Sequence, residues 1–368
     1  MRIAVLGNSP LNIGVTAATD LAALGHEVTL MPFEGEAERL DGVRDGVRLD
    51  ASKAQPLAVG VERARFSLRE DPASALEGVE LAILDTPALA LEARIRAIAP
   101  HLPAGLHLHV DTHGYWPALR AANLPEWPRG RAVTLSEGTT PTHAGALAGD
   151  TVEFHTVRRN IALGVFPAVE TERVAALLNG VMPLFVPSRD VLATNLEGMN
   201  FLVHPAIALV NAGAFDRAEE RGEPIGFYGE ANTAHAARLG EALDAERIPL
   251  ETMLELPHRP LAEQIGALYG GGGATLREAI ANAPFYKALP PLRADVWRGW
   301  MRADVPLTHV PFVRLAGALG CDAPLHRGLV DLMGAMLGED FWSGGLTLDA
   351  LGLAGRDAAA MRRYVREG

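Results

Sequence analysis

The chain has 368 residues, 48% of them hydrophobic and 21% charged, with a formal net charge of −12. That length predicts two domains, each able to bury a core, and the composition is that of an ordinary globular protein. An acidic chain without a long Lys/Arg run excludes nucleic acid and anionic membrane surfaces as main partners. A single cysteine, Cys321, excludes an internal disulfide and points to no oxidising compartment. The opening MRIAVLGNSP is too short an apolar run for a signal-peptide core, and no stretch of ~18 apolar residues follows, so the expectation is a cytoplasmic protein.

The N-terminal half alternates strand and helix. Arg2-Ile3-Ala4-Val5-Leu6-Gly7 is a short apolar run ending in glycine, the pattern of a strand buried on both faces. Gly14 to Leu24 has helical apolar spacing and is stopped by Gly25; Glu27 to Met31 then completes one βαβ unit. Further strands are predicted at Val79–Asp85, Leu106–Val110 and Val133–Leu135, with a helix over Ala90–Ile98 between two of them. Asn160–Pro167 reads as a last strand of this half, followed by an amphipathic helix over Glu170–Leu178. Repeated β-α-β order with apolar strands implies an open parallel sheet, an α/β domain placed at residues 1–190.

A strand-to-helix turn at the start of such a sheet is where a dinucleotide's pyrophosphate meets backbone N–H groups at a helix N-terminus. Here that segment is Gly7-Asn8-Ser9-Pro10-Leu11-Asn12-Ile13-Gly14, longer than the usual G-x-G-x-x-G. Gly7, Asn8, Ser9, Asn12 and Gly14 are the cofactor-binding candidates. After the second strand, Glu34 or Glu36 is the acidic candidate for the ribose hydroxyls, which favours NAD slightly over NADP, with Arg39 nearby. A structural turn and a solvated acidic loop are the alternative readings of these two features.

Residues 191–368 form a second, helical domain, with helical spacing over Thr233–Arg247 and His326–Leu337. Gly270–Gly273 reads as a connection, because no Lys-Ser/Thr follows to make a phosphate loop. Within Asn195–Gly213, a single helix would bring Asn200, His204 and Asn211 within about 40° of arc on one face. Alternatively Pro205 opens a new helix as its first residue, leaving His204 at the N-cap. Either way a histidine stands among amides in an apolar run, which fits a base as well as a satisfied core residue. In Trp297-Arg298-Gly-Trp300-Met-Arg302-Ala-Asp304-Val305-Pro306, Asp304 is a carboxylate of the kind that fixes a basic histidine's tautomer. His107, His109 and His113 have strand-and-turn spacing, so no metal site is expected.

Four stretches together resemble the octopine/nopaline (opine) dehydrogenase family. They are Ala4–Leu30 with its Gly-His-Glu-Val-Thr-Leu ending, Ser136-Glu-Gly-Thr-Thr-Pro141, Asn200…His204-Pro205…Asn211-Ala-Gly213, and Arg302-Ala-Asp304-Val-Pro306. Phe227-Tyr228-Gly-Glu230, Leu243-Asp244-Ala-Glu246-Arg247 and Gly320-Cys-Asp-Ala-Pro324 add to the likeness.

The resemblance implies a Rossmann-type N-terminal domain, an all-α C-terminal domain and an active site in the cleft between. It implies reductive condensation of an amino acid or other amine with a 2-oxo acid such as pyruvate, through an imine reduced by NAD(P)H. By position His204 matches the catalytic acid/base and Asp304 its partner; Asn200, Asn211 and Arg298 become substrate-binding candidates. A homodimer is compatible with all of this. Gly299 and Ala303 stand where the family has an arginine and a glutamate, and Asp111–Trp116 replaces an Asn-Pro-Gly-like turn. A 2-oxo-acid reductase resembling ketopantoate reductase would need a helical-domain lysine, and the only lysines are Lys53 and Lys287. A non-catalytic dinucleotide-binding protein is the remaining alternative.

Overall fold

A computed structural model describes residues 1–43 and 46–368. The chain divides into two compact units, Met1–Thr194 with Tyr364–Gly368, and Asn195–Arg363.

The first unit is built on an eight-stranded sheet. Its strands are β1 (Arg2–Leu6), β2 (Glu27–Met31), β5 (Ser67–Leu68), β6 (Leu81–Asp85), β7 (His107–Asp111), β8 (Thr134–Gly138), β11 (Ile161–Phe166) and β12 (Phe185–Pro187), in the order β12-β11-β8-β7-β6-β1-β2-β5. β1, β6 and β7 lie inside the sheet, and Ile3 to Leu6 and Leu81 to Leu84 are buried, which is why these strands read as unbroken apolar runs rather than alternating ones. Helix Ile13–Ala23 crosses from β1 to β2, which pair in parallel from Arg2↔Glu27 to Leu6↔Met31. The predicted strand at Asn160–Pro167 is present as β11 but runs antiparallel to β8, from Leu163↔Gly138 to Phe166↔Leu135. No helix longer than one turn lies between β8 and β11, so no crossover returns the chain to the starting end of the sheet.

A second sheet was not legible in the sequence. It has the order β4-β3-β10-β9, from β3 (Val47–Asp50), β4 (Arg63–Ala64), β9 (His143–Ala148) and β10 (Thr151–Val157), and the helix Ile13–Ala23 packs on β9. Gly145 permits that approach, since a Cβ there would stand 2.6 Å from the Thr16 hydroxyl. The C-terminal residues of this unit are tied in by Tyr364, whose hydroxyl accepts from Asn123 Nδ2 at 2.8 Å and whose ring meets Phe166 edge-on.

The second unit is helical. Helix Asn200–Val210 is its centre, packed on helices Ala234–Ala245 and Ala294–Asp304. Leu202, Ala206, Ala236, Ala237, Trp297 and Met301 share its core. Pro205 lies inside the central helix rather than at its first position, and the helix ends at Asn211 before Ala212–Glu220 begins. A proline has no N–H for the carbonyl four residues back. That carbonyl, Phe201 O, instead accepts from the buried His309 Nε2–H at 2.6 Å. The motif around Arg247 is structural: its fully buried guanidinium donates to Asp244 Oδ1 at 2.8 Å, to Leu196 O at 2.5 Å and to Glu251 Oε1 at 3.2 Å. Among the described residues no single helix is long and apolar enough to cross a membrane.

Candidate active site

In the first unit, the turn after β1 is organised from beneath by a carboxylate. Asp85, the last residue of β6, accepts through Oδ2 from Ser9 N at 2.7 Å and from Gly14 N at 2.8 Å. Its Oδ1 is buried with no hydrogen-bond partner. Burial pushes the Asp85 carboxyl up to about 7; the two backbone amides oppose that shift and nearby Asp111 adds to it. Gly14 cannot be replaced without moving the turn, because a Cβ there would sit 1.9 Å from Gly7 O.

The other loop groups are largely committed inward. Asn8 is buried, its Nδ2 donating to Asn12 Oδ1 at 3.1 Å and its Oδ1 accepting from Val15 N at 3.1 Å. Asn12 has left-handed backbone (φ 52°) and donates to Gly145 O at 3.3 Å. The Ser9 hydroxyl is buried and unpartnered, and the exposed Arg39 guanidinium lies over the loop, donating to Asn8 O and Ser9 O. A glycine turn between a parallel strand and its crossover helix, an orphaned hydroxyl and a cation beside it suit a dinucleotide's pyrophosphate.

Of the two acidic ribose candidates, the structure commits one to the protein itself. Glu34 is exposed after β2. Glu36, two residues on, is buried and fully used: Oε2 accepts from Asn8 N at 2.8 Å and Phe33 N at 3.0 Å, and Oε1 pairs with Arg94 at 2.5 Å. Glu36 is thus part of the turn's frame, which takes it out of the ribose role and leaves the exposed Glu34 as the acidic candidate.

The predicted histidines of β7 are likewise structural. His107 hydrogen-bonds Thr134 and Ser136, both at 2.8 Å, and burial holds its imidazole well below the usual range, so it is neutral. No cluster of His, Cys, Asp or Glu able to hold a metal ion is present among the described residues.

In the second unit, residues one hundred positions apart in the chain meet. His204 Nδ1–H donates to Asp304 Oδ2 at 3.0 Å, with His204 6% exposed and Asp304 fully buried. Helix Ala294–Asp304 turns Trp297, Met301 and Asp304 inward at i, i+4 and i+7, which aims the carboxylate at the central helix. The next five residues, Val305–His309, are a π-helical turn, a local widening often found beside functional groups.

His204 Nε2 accepts from the Tyr228 hydroxyl at 2.6 Å, the imidazole stacks on Trp300 at 4.6 Å, and Phe227 meets it edge-on at 5.9 Å. An acceptor carboxylate on Nδ1 fixes the proton there and leaves Nε2 basic. Tyr228 and Trp300 were missed as members of this group: each lay inside a quoted motif, but nothing local tells an aromatic that covers a base from one that fills a core.

The remaining substrate candidates separate. Asn200 opens the central helix, half-buried and one turn before His204. Asn211 is not on the His204 face of one continuous helix. It caps the helix end, its Nδ2 donating to Ile207 O at 2.8 Å and Ala231 O at 2.9 Å.

Arg298 is on the solvent side of its helix, bonded to Glu219 at 2.5 and 3.0 Å with Asp216 at 3.6 Å. Those acidic partners hold its guanidinium proton more firmly than usual, Glu219 being the main cause. A surface ion pair of this kind contributes at most about 1 kcal/mol. Arg298→Ala is therefore expected to leave KM for every substrate within about twofold of wild type; a tenfold rise would return Arg298 to the site.

Comparison with known proteins places residues 187–337 in the family model for NAD/NADP octopine/nopaline dehydrogenase, alpha-helical domain. The chain is 26% identical over 365 residues to an opine dehydrogenase of Arthrobacter sp. (strain 1C), covering 98% of each chain. Its fold is similar to that of an octopine dehydrogenase solved with NADH and agmatine, with a TM-score of 0.74 at 20% identity, covering 100% of this chain and 96% of the other. It is also similar to a yersinopine dehydrogenase solved with NADP+ bound, with a TM-score of 0.71 at 15% identity, covering 100% and 98%.

Proposed function

The chain belongs to the octopine/nopaline dehydrogenase family, and on that premise we propose that it is an NAD(P)H-dependent opine dehydrogenase, condensing an amino acid or other amine with a 2-oxo acid such as pyruvate. The observation that carries this reading is the His204–Asp304 hydrogen bond, with Nε2 turned to a hydroxyl rather than to another protein base.

The chemistry needs a group that takes a proton and later gives one back. The amine attacks a carbonyl only after losing its ammonium proton, which His204 Nε2 accepts while Asp304 stabilises the imidazolium that results. Attack gives a carbinolamine. The same nitrogen returns the first proton to the former carbonyl oxygen, then carries a second from the carbinolamine nitrogen to it, and that oxygen leaves as water with a protonated imine remaining. NAD(P)H supplies the hydride that reduces it. Tyr228, whose O–H already donates to Nε2, stands at the point of proton entry and is the relay. The glycine turn Gly7–Gly14, the Ser9 hydroxyl and Arg39 would hold the dinucleotide.

Oxidation of NADH and of NADPH at saturating pyruvate, with and without a pool of amino acids, tests the reading. Amine-dependent oxidation is the expected result. Oxidation independent of amine would mean simple 2-oxo-acid reduction instead.

A further inference from the structure

With Arg298 bonded to surface acids, the charge that receives a substrate carboxylate has to come from another element. Behind Tyr228 the second unit has a cavity of about 190 Å³, lined among others by Tyr228, Asn232, Arg277, Ile280, Tyr286 and Lys287. That volume is small against the ~300–1,000 Å³ of a drug-sized pocket and suits one end of a small substrate.

Its walls are two aromatic rings, Tyr228 stacked on Tyr286 at 4.4 Å. Its charged residues are both cations, and no carboxylate lines it, although the chain as a whole carries −12. Arg277 is held in place by a reciprocal pair of bonds: its Nε donates to Asn232 O at 3.3 Å, and Asn232 Nδ2 donates to Arg277 O at 3.1 Å. The rest of that guanidinium, and the Lys287 ammonium, have no carboxylate partner among the described residues. Asn232 is 4% exposed, and its Oδ1 is buried without a donor.

A cavity edged by two uncompensated cations recognises an anion, and a planar guanidinium fixed at Nε presents its two remaining nitrogens to a carboxylate. The unsatisfied Asn232 oxygen adds a place for an N–H, which an amino acid brings and an oxo acid does not. One wall, Tyr228, is also bonded to His204, so whatever fills the cavity lies one ring from the base.

We propose that this cavity binds a carboxylate of the amine substrate between Arg277 and Lys287, and so selects amino acids over amines that carry no carboxylate. This assignment rests on the opine dehydrogenase reading. The carboxylate could be the one beside the amine or one on the side chain, and three probes tell these apart. L-glutamate carries both, L-glutamine lacks the side-chain charge, and 4-aminobutyrate lacks the carboxylate beside the amine.

The experiment is calorimetric titration of each probe into the whole enzyme, with and without saturating NADH, for wild type and for Arg277→Gln, Lys287→Gln and the double variant. Both positions are exposed, so the variants keep the wild-type circular dichroism. Glutamate is expected to bind and to weaken about tenfold or more in each single variant. Retained binding of glutamine assigns the carboxylate beside the amine; retained binding of 4-aminobutyrate assigns the side-chain one. Glutamate binding unchanged in the double variant, or no binding of any probe to wild type, overturns the proposal.

Turnover separates this outcome from the fate of the proposed reaction. Amine-dependent NAD(P)H oxidation with unaltered KM in the double variant removes the pocket and keeps the reaction. Glutamate binding that depends on Arg277, with no oxidation for any oxo acid, removes the reaction and keeps the pocket.

Discussion

His204→Ala is expected to lower kcat/KM for amine-dependent NAD(P)H oxidation by about 10²–10⁴, the ordinary contribution of a positioned acid/base. The fold and the cofactor Kd are expected to stay as they are, because the Gly7–Gly14 turn proposed to hold the cofactor belongs to the other unit of the chain. Asp304→Asn tests the reason rather than the presence of the base. An amide can turn its N–H toward Nδ1, which moves the imidazole proton to Nε2 and leaves nothing there to accept the ammonium proton. The loss is expected to match that of His204→Ala, and the double variant to be no worse than either single one. Tyr228→Phe keeps the stacking on Tyr286 and removes only the hydroxyl, so its effect is expected in kcat more than in KM. Additive losses in the His204/Asp304 pair would show that the two residues act separately, against the geometry.

The second large effect concerns Asp85. Its carboxyl is raised from 3.8 to about 7 in the folded chain, chiefly by burial. The folded protein therefore keeps a proton that the unfolded chain releases near pH 4. That contribution is fully present below the unfolded value and is lost as pH rises through about 7; a shift of roughly three units corresponds to about 4 kcal/mol.

Asp85→Asn is the matching substitution. Its oxygen can accept from Ser9 N and Gly14 N as Oδ2 does, and its amide nitrogen takes the place of the unpartnered Oδ1. Chemical denaturation at pH 5 and pH 8 should show wild type losing about 3 kcal/mol relative to the variant between the two, the rest of the shift lying below pH 5. A difference that does not change with pH would mean that Asp85 is already ionised in the folded protein. The same charge sits beneath the turn that would receive a pyrophosphate, whose negative charge favours the protonated form. NADH and NADPH are accordingly expected to bind more weakly to wild type above pH 7 and independently of pH to the variant. Arg39 and the buried Arg94–Glu36 ion pair also face this turn, and Asp111 lies near Asp85.

Features that depend on near neighbours along the chain are legible in the residues themselves. Apolar runs such as Ile3–Leu6 and Leu81–Leu84 made the parallel strands readable, because a strand buried on both faces needs every residue to be apolar. Glycines at positions 7 and 25 marked a turn and a helix stop, both with positive φ in the fold. Spacing put His204 on an apolar helix. Its link to Asp304, one hundred residues away, came from resemblance and not from any local pattern.

Which polar groups are already bonded within the protein depends on packing between distant segments. Glu36 and Asn8 are consumed inside the turn after β1, Asn211 caps a helix end, and Arg298 pairs with acids outside. Asp85, Tyr228 and Arg277 gained their places from partners on distant segments. A side chain's type sets what it can bond, but burial and the groups that packing brings within about 3 Å decide what it does bond.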